Sequence, residues 1–97
     1  MITYEVTVEV RQDLRESFER FMIDRHIPDL MATGCFVSAS FSRAAADRYR
    51  ARYEAQDREA LNRYFGEHAS RLRGDVAELF PEGISFEREE WEVLARF

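Results

Sequence analysis

Residues 2–10 read ITYEVTVEV, with Ile2, Tyr4, Val6, Val8 and Val10 alternating strictly with Thr3, Glu5, Thr7 and Glu9. A two-residue period in β-favouring side chains marks a strand with one face buried and the other toward water. Beyond it, Asp13 stands where a helix would need its N-cap, and Glu16 three positions later makes a box-like D-x-x-E. The apolar stripe Leu14, Phe18, Phe21 and Met22 follows. Pro28 cannot donate an intrahelical hydrogen bond and biases Ile27 away from helix, so a kink or restart is expected there. Thr33-Gly34 ends the element, because glycine takes the left-handed cap conformation without strain.

Residues 35–43, CFVSASFSR, predict a second strand with Val37, Ala39 and Phe41 on one side and Ser38, Ser40 and Ser42 on the other. The link Ala44-Ala45-Ala46 is poor turn chemistry. A third strand near 47–55 sets Tyr49, Ala51 and Tyr53 opposite Arg48, Arg50 and Arg52. Asp57 is placed to cap a second long helix carrying Leu61, Tyr64, Phe65 and Leu72, continuing through Val76 and Leu79, with bends allowed at Gly66 and Gly74. Pro81-Glu82-Gly83 is a stop and turn. Residues 84–94 predict a last strand whose alternation slips at Glu89-Glu90, as a bulge would cause. The order β-α-β-β-α-β is that of the split βαβ, or ferredoxin-like, α+β fold over a single domain, residues 1–97. Right-handed crossovers would set the first and third strands side by side and parallel in the middle of a four-stranded antiparallel sheet, with both helices on one face.

Composition narrows the chemistry. Ninety-seven residues argue for one domain. Nineteen Asp and Glu face 14 basic residues, every one of them Arg, for a net charge of −5. That balance disfavours a general nucleic-acid binder. Without Lys there is no Schiff-base or P-loop lysine. A single Cys leaves no internal disulfide, CxxC redox pair or multi-Cys zinc site. No apolar run is long enough to span a membrane. The opening MITYEV does not read as a signal peptide, so a reducing cytoplasm is the expected compartment.

In this fold the helix-free face of the sheet carries Glu5, Thr7 and Glu9 on the first strand beside Arg48, Arg50 and Arg52 on the third. Opposite charges across neighbouring strands stabilise by about 0.2–1 kcal/mol per pair. Arg holds a partly desolvated carboxylate better than Lys does, through its planar fork. A face bearing both signs is also self-complementary under two-fold symmetry. These residues are therefore the expected interface of a homodimer. The plainer alternative is a solvated face.

Taken together, the opening residues 2–6, the segment His26 to Phe36 (HIPDLMATGCF), and the pattern of Arg52-Tyr53-Glu54, Arg58 to Leu61, Tyr64 and Glu67 to Arg73 resemble the dimeric α/β-barrel superfamily over essentially the whole chain. Within it they are most similar to a small bacterial domain family of unknown function. The resemblance implies a dimeric α/β barrel built from ferredoxin-like protomers, with a ligand pocket between sheet and helices. Relatives of this kind include cofactor-independent monooxygenases, haem-degrading monooxygenases, muconolactone isomerases and stress-response proteins. The haem-degrading branch is similar in having a His on the second helix, where His68 stands. It also uses a first-strand Asn and a Trp near the second helix, whereas the only Asn here is Asn62 and the only Trp is Trp91, in the last strand.

On an uninterrupted helix, His68 falls near the centre of the stripe made by Leu61, Tyr64, Phe65 and Leu72 and would point inward. It is the candidate catalytic acid or base; the alternative is a core His bonded to a tyrosine hydroxyl. The catalytic role requires a void of about 300 Å³ or more beside it. His26, near the end of the first helix, reads either as a charge-favoured C-terminal His or as a pocket residue. With Tyr4, Phe41, Tyr49 and Tyr53 on the helix-facing side of the sheet, it makes up the candidate ligand-binding set, and those aromatics equally suit a core. Cys35 lacks an activating base and reads as a packing residue. The histidines lack a carboxylate at metal-ligand spacing, and no cofactor is implied. Three function classes stay open: a noncatalytic binder of a small aromatic or enolisable molecule, a cofactor-independent monooxygenase or isomerase, and a protein-interaction module.

Overall fold

The alternation of residues 2–10 is realised as β1, Ile2–Val10, in a computed structural model that describes residues 1–45 and 47–97. A 3-10 turn over Gln12–Leu14 leads into α1 (Arg15–Phe21), a wide π-turn over Met22–His26, and α2 (Ile27–Ala32). Then come β2 (Ser38–Ala44), β3 (Arg48–Ala55), α3 (Arg58–Glu67), α4 (Ala69–Leu79) and β4 (Ile84–Glu92). The strands form one sheet in the order β2-β3-β1-β4, with every neighbouring pair antiparallel. The expected parallel pairing of the first and third strands is thereby corrected. The crossover through α1 and α2 returns β2 parallel to β1, and the β2–β3 hairpin then reverses the chain before β3 enters beside β1.

Helices cover one face. Tyr4, Val8, Val10, Tyr49, Ala51, Tyr53 and Ala55 from β1 and β3 are buried with Phe18, Phe21, Met22, Leu30, Leu61, Tyr64, Leu72 and Val76 from the helices. Phe18 is completely buried, and truncating such a side chain to Ala typically costs about 3–5 kcal/mol.

Local details depart from the expectations in four places. Asp13 does not cap α1; its carboxylate takes both ends of the Arg11 fork instead, at 2.6 and 3.2 Å. β2 starts at Ser38, leaving Cys35 and Phe36 as buried loop residues. No bulge interrupts β4, since its register against β1 is continuous from Ile84 opposite Val10 to Glu92 opposite Ile2. The apparent slip arises because Arg88, Glu90 and Glu92 occupy helix-side positions along an edge strand that is itself largely exposed. The second helix breaks at His68, where φ is −128°, two residues past Gly66; Gly74 continues inside α4.

Two further signals, Asp57 and Gly34, are realised as read. Asp57 caps α3 by accepting the Ala60 N–H at 2.8 Å. Gly34, at φ +74°, closes the first helical segment with its N–H on the Met31 carbonyl. In the β2–β3 link Ala45 takes φ +54°; Ala46 lies outside the described residues.

Candidate functional site

Pro28 has no N–H to offer the carbonyl one turn back, and the helical ladder widens just ahead of it: Ile27 donates to the Met22 carbonyl, five residues away. Such π-turns are uncommon and recur at functional sites. This one turns His26 toward the sheet, where its ring packs 5.5 Å from that of Phe21.

There it meets a cavity of about 490 Å³ between sheet and helices, within the usual range for small-molecule sites. β1 contributes Tyr4, Val6 and Val8, and β4 contributes Ile84, Phe86 and Arg88. The helical side brings Met22, His26, Leu30, Tyr64, Arg73 and Val76, with Tyr53 from β3 and Phe80 after α4. Most of this wall is apolar.

Its polar groups are few and distinctive. Arg73 Nη2 donates to the Tyr4 hydroxyl at 3.0 Å, and its guanidinium lies 5.9 Å from the Phe65 ring centre. Arg88, opposite Val6 in the β-ladder, sits 5.0 Å over Phe86. Burial pushes the Tyr64 hydroxyl up to about 12 and raises that of Tyr53 as well, so both remain protonated donors. Burial is also the main cause that pulls His26 down to about 4, with Arg25 adding to it and Asp29 and Asp75 opposing. His26 is therefore neutral at physiological pH, which replaces the reading of a charged helix-terminal His. Its Nδ1 is buried without a hydrogen-bond partner among the described residues.

Of the candidate ligand-binding set, His26, Tyr4 and Tyr53 share this cavity. Phe41 and Tyr49 do not border it; they stack on each other at 5.5 Å and 8° beside Phe18, and the Tyr49 hydroxyl donates to Glu19 at 2.6 Å. His68 is not on the cavity wall either. It stands at the α3–α4 junction, its Nδ1 3.3 Å from Arg71 and its Nε2 3.8 Å from Glu67, so the void required for its acid/base role lies elsewhere. Sequence reading missed Arg73 and Arg88. Arg88 was legible in principle from its even-numbered alternation with Ile84 and Phe86, Arg73 only once α4 was known to start afresh at Ala69. Among the described residues no three His, Cys, Asp or Glu gather as a metal site. No described helix is long and apolar enough to cross a membrane.

On the opposite face, Glu5, Thr7 and Glu9 stand directly across from Arg52, Arg50 and Arg48. Glu5 lies between Arg50 at 3.7 Å and Arg52 at 3.9 Å, its side chain only 16% exposed. The chain end crosses one end of this face: Arg96 reaches Glu54 on β3 at 2.9 Å, and Thr3 beneath is buried. Trp91, Leu94 and Phe97 are left largely exposed there.

Two solved structures share the fold. Rv0793 from Mycobacterium tuberculosis matches with a TM-score of 0.70 and 17% identity, over 99% of this chain and 98% of that one. A dimeric ferredoxin-like protein from an uncultured marine organism matches with a TM-score of 0.70 and 15% identity, over 99% and 97%. No curated protein matches significantly. The sequence fits the family model of the domain of unknown function DUF4286 over residues 1–94, and the chain, a ferredoxin-like α+β domain, belongs to that family.

Proposed function

We propose that this protein is a homodimeric carrier or sensor that holds one small aromatic or enolisable molecule per protomer between sheet and helices. The observation that carries this reading is the cavity itself: about 490 Å³, mostly apolar, with a few convergent polar groups, including a buried His26 nitrogen without a partner among the described residues. Sites of that composition orient an apolar body by a small number of hydrogen bonds. A fragment screen followed by 1H–15N NMR on the full chain tests it. Small aromatic fragments should shift the resonances of Tyr4, His26 and Tyr64; a screen in which no fragment shifts them overturns it.

Dimerisation through Glu5, Thr7, Glu9, Arg48, Arg50 and Arg52 belongs to the same proposal. It is supported by the two-signed ladder on the open face, by the exposed Trp91, Leu94 and Phe97 beside it, and by the dimeric state of the marine ferredoxin-like protein. A second reading, proton transfer on an enolisable ligand, is favoured by the free Nδ1 of His26, which makes His26 rather than His68 the group placed to act on a bound molecule. His26→Gln should then abolish turnover while leaving fragment binding intact.

A further inference from the structure

The charged side chains on the cavity wall are both cations, Arg73 and Arg88. Among the described residues lining it there is no Asp or Glu, in a chain that has 19 of them. Many arginines elsewhere find carboxylates: Arg25 has Asp75, Arg43 has Glu19, Arg58 has Glu90 and Arg96 has Glu54, whereas Arg63 and Arg71 on the outer surface meet the Gly34 carbonyl and His68. Arg73 and Arg88 differ. Among the described residues Arg73 meets only the Tyr4 hydroxyl and the Phe65 ring, and Arg88 only the Phe86 ring. Tyr4, having accepted from Arg73, keeps its own O–H to donate. Both guanidiniums also act on one phenol, each offsetting part of the burial-driven rise at Tyr64, so their positive potential converges at that end of the cavity.

We propose that the cavity takes a small organic monocarboxylate with an aromatic or aliphatic body, its carboxylate held between Arg73 and Arg88. Both arginines are solvent-exposed side chains on the cavity's edge, so the charge stays at the rim while the body lies against Val8, Met22 and Phe80. That orientation avoids burying an ion and lets a charge-assisted pair form where two like charges stand without a carboxylate partner among the described residues. Neutral His26 adds no competing charge inside. The proposal rests on the cavity being a ligand site, as argued above.

Matched pairs separate the two ideas. The full chain is titrated with 4-phenylbutyrate and 4-phenylbutyramide, and with octanoate and octanamide, followed by 1H–15N NMR including the Arg Nε signals. Each acid should bind at least tenfold more tightly than its amide and shift the Arg73 and Arg88 Nε resonances. Arg73→Gln combined with Arg88→Gln should abolish the preference, bringing the acid-to-amide affinity ratio to about one. Arg88→Gln alone, which removes only a contact over Phe86, gives the same reading if the double variant fails to fold. Acid and amide binding equally in the cavity would overturn the carboxylate inference and leave the ligand site standing. Acid shifts confined to Arg48, Arg50 and Arg52 would overturn it too, and no shift at cavity residues with any probe would remove both.

Discussion

Arg73 Nη2 lies 3.0 Å from the hydroxyl oxygen of Tyr4, tying α4 to the first strand across the cleft that separates sheet from helices. The bond spans 69 positions of sequence and borders the cavity, bridging its α4 wall and the sheet, while buried Ala69, Leu72 and Val76 dock the helix. The Tyr4 ring is held independently, 6.0 Å from Tyr53 and edge-on to Phe65 at 5.2 Å.

Tyr4→Phe keeps those ring contacts and removes only the acceptor for Arg73. A hydrogen bond with one charged, solvent-accessible partner contributes about 1 kcal/mol net. Urea unfolding should therefore show a loss of about 1 kcal/mol with an unchanged m-value. A loss above about 3 kcal/mol would mean that the hydroxyl does more than hold Arg73.

Gly83 takes φ +83° in the turn between α4 and β4, and its carbonyl accepts the Arg11 N–H at 2.8 Å, tying that turn to the end of β1. A Cβ there would come within 2.6 Å of Leu14 Cδ1 and 3.2 Å of Arg11 Cζ. Left-handed backbone alone costs a non-glycine residue about 1–2 kcal/mol, and displacing Leu14 adds to it. Gly83→Ala should lower stability by about 2–3 kcal/mol in chemical denaturation; an effect under 0.5 kcal/mol would show that the turn relaxes freely.

Much of this was legible in residues 2–10, because a period of two leaves no freedom in which side chains face the helices. Tyr4, Tyr49 and Tyr53 were placed inward on that ground alone, and Glu5 outward against Arg52. Chain direction in the middle of the sheet was not, since alternation looks the same for parallel and antiparallel neighbours. The two histidines show why the site itself was harder to read. Only His68 reads inward on the geometry of a continuous helix; His26 stands at the edge of its stripe, two residues before Pro28. His68 then fell on a helix break, which rotated it out of the stripe, and His26 fell in a π-turn, which rotated it in. Pro28 signalled that the helix would change near His26 but not which way the ring would turn.

Burial gives His26 a measurable signature. Its folded pKa of about 4 lies below the ordinary 6.5, so between those values the unfolded chain binds a proton that the folded chain excludes. This contribution is fully present above pH 6.5 and is lost as the pH falls toward 4, by at most about 3 kcal/mol. Asp29 and Asp75 soften the loss and Arg25 sharpens it. Denaturation of the wild type and His26→Gln from pH 7.5 to 4 should show a steeper decline in the wild type over that window; parallel curves would mean that the ring is protonated in the folded chain.

The open face yields the test of assembly. Glu5 is largely shielded between Arg50 and Arg52, and two-fold pairing would place a second such ladder against it, so each acid would meet arginines from both copies. Arg50→Glu reverses one of these charges beside Glu5 and opposite Thr7, which sets like charges facing each other at a self-complementary surface. Like charges across an interface cost several kcal/mol, whereas in an isolated protomer Arg50 is half exposed at 3.7 Å from Glu5, and water screens the reversed charge. Sedimentation equilibrium at micromolar concentration should therefore give about twice the 11.5 kDa chain mass for the wild type and the monomer mass for Arg50→Glu, which stays folded by circular dichroism. A monomeric wild type, or a variant that remains dimeric, would rule out this face as the interface.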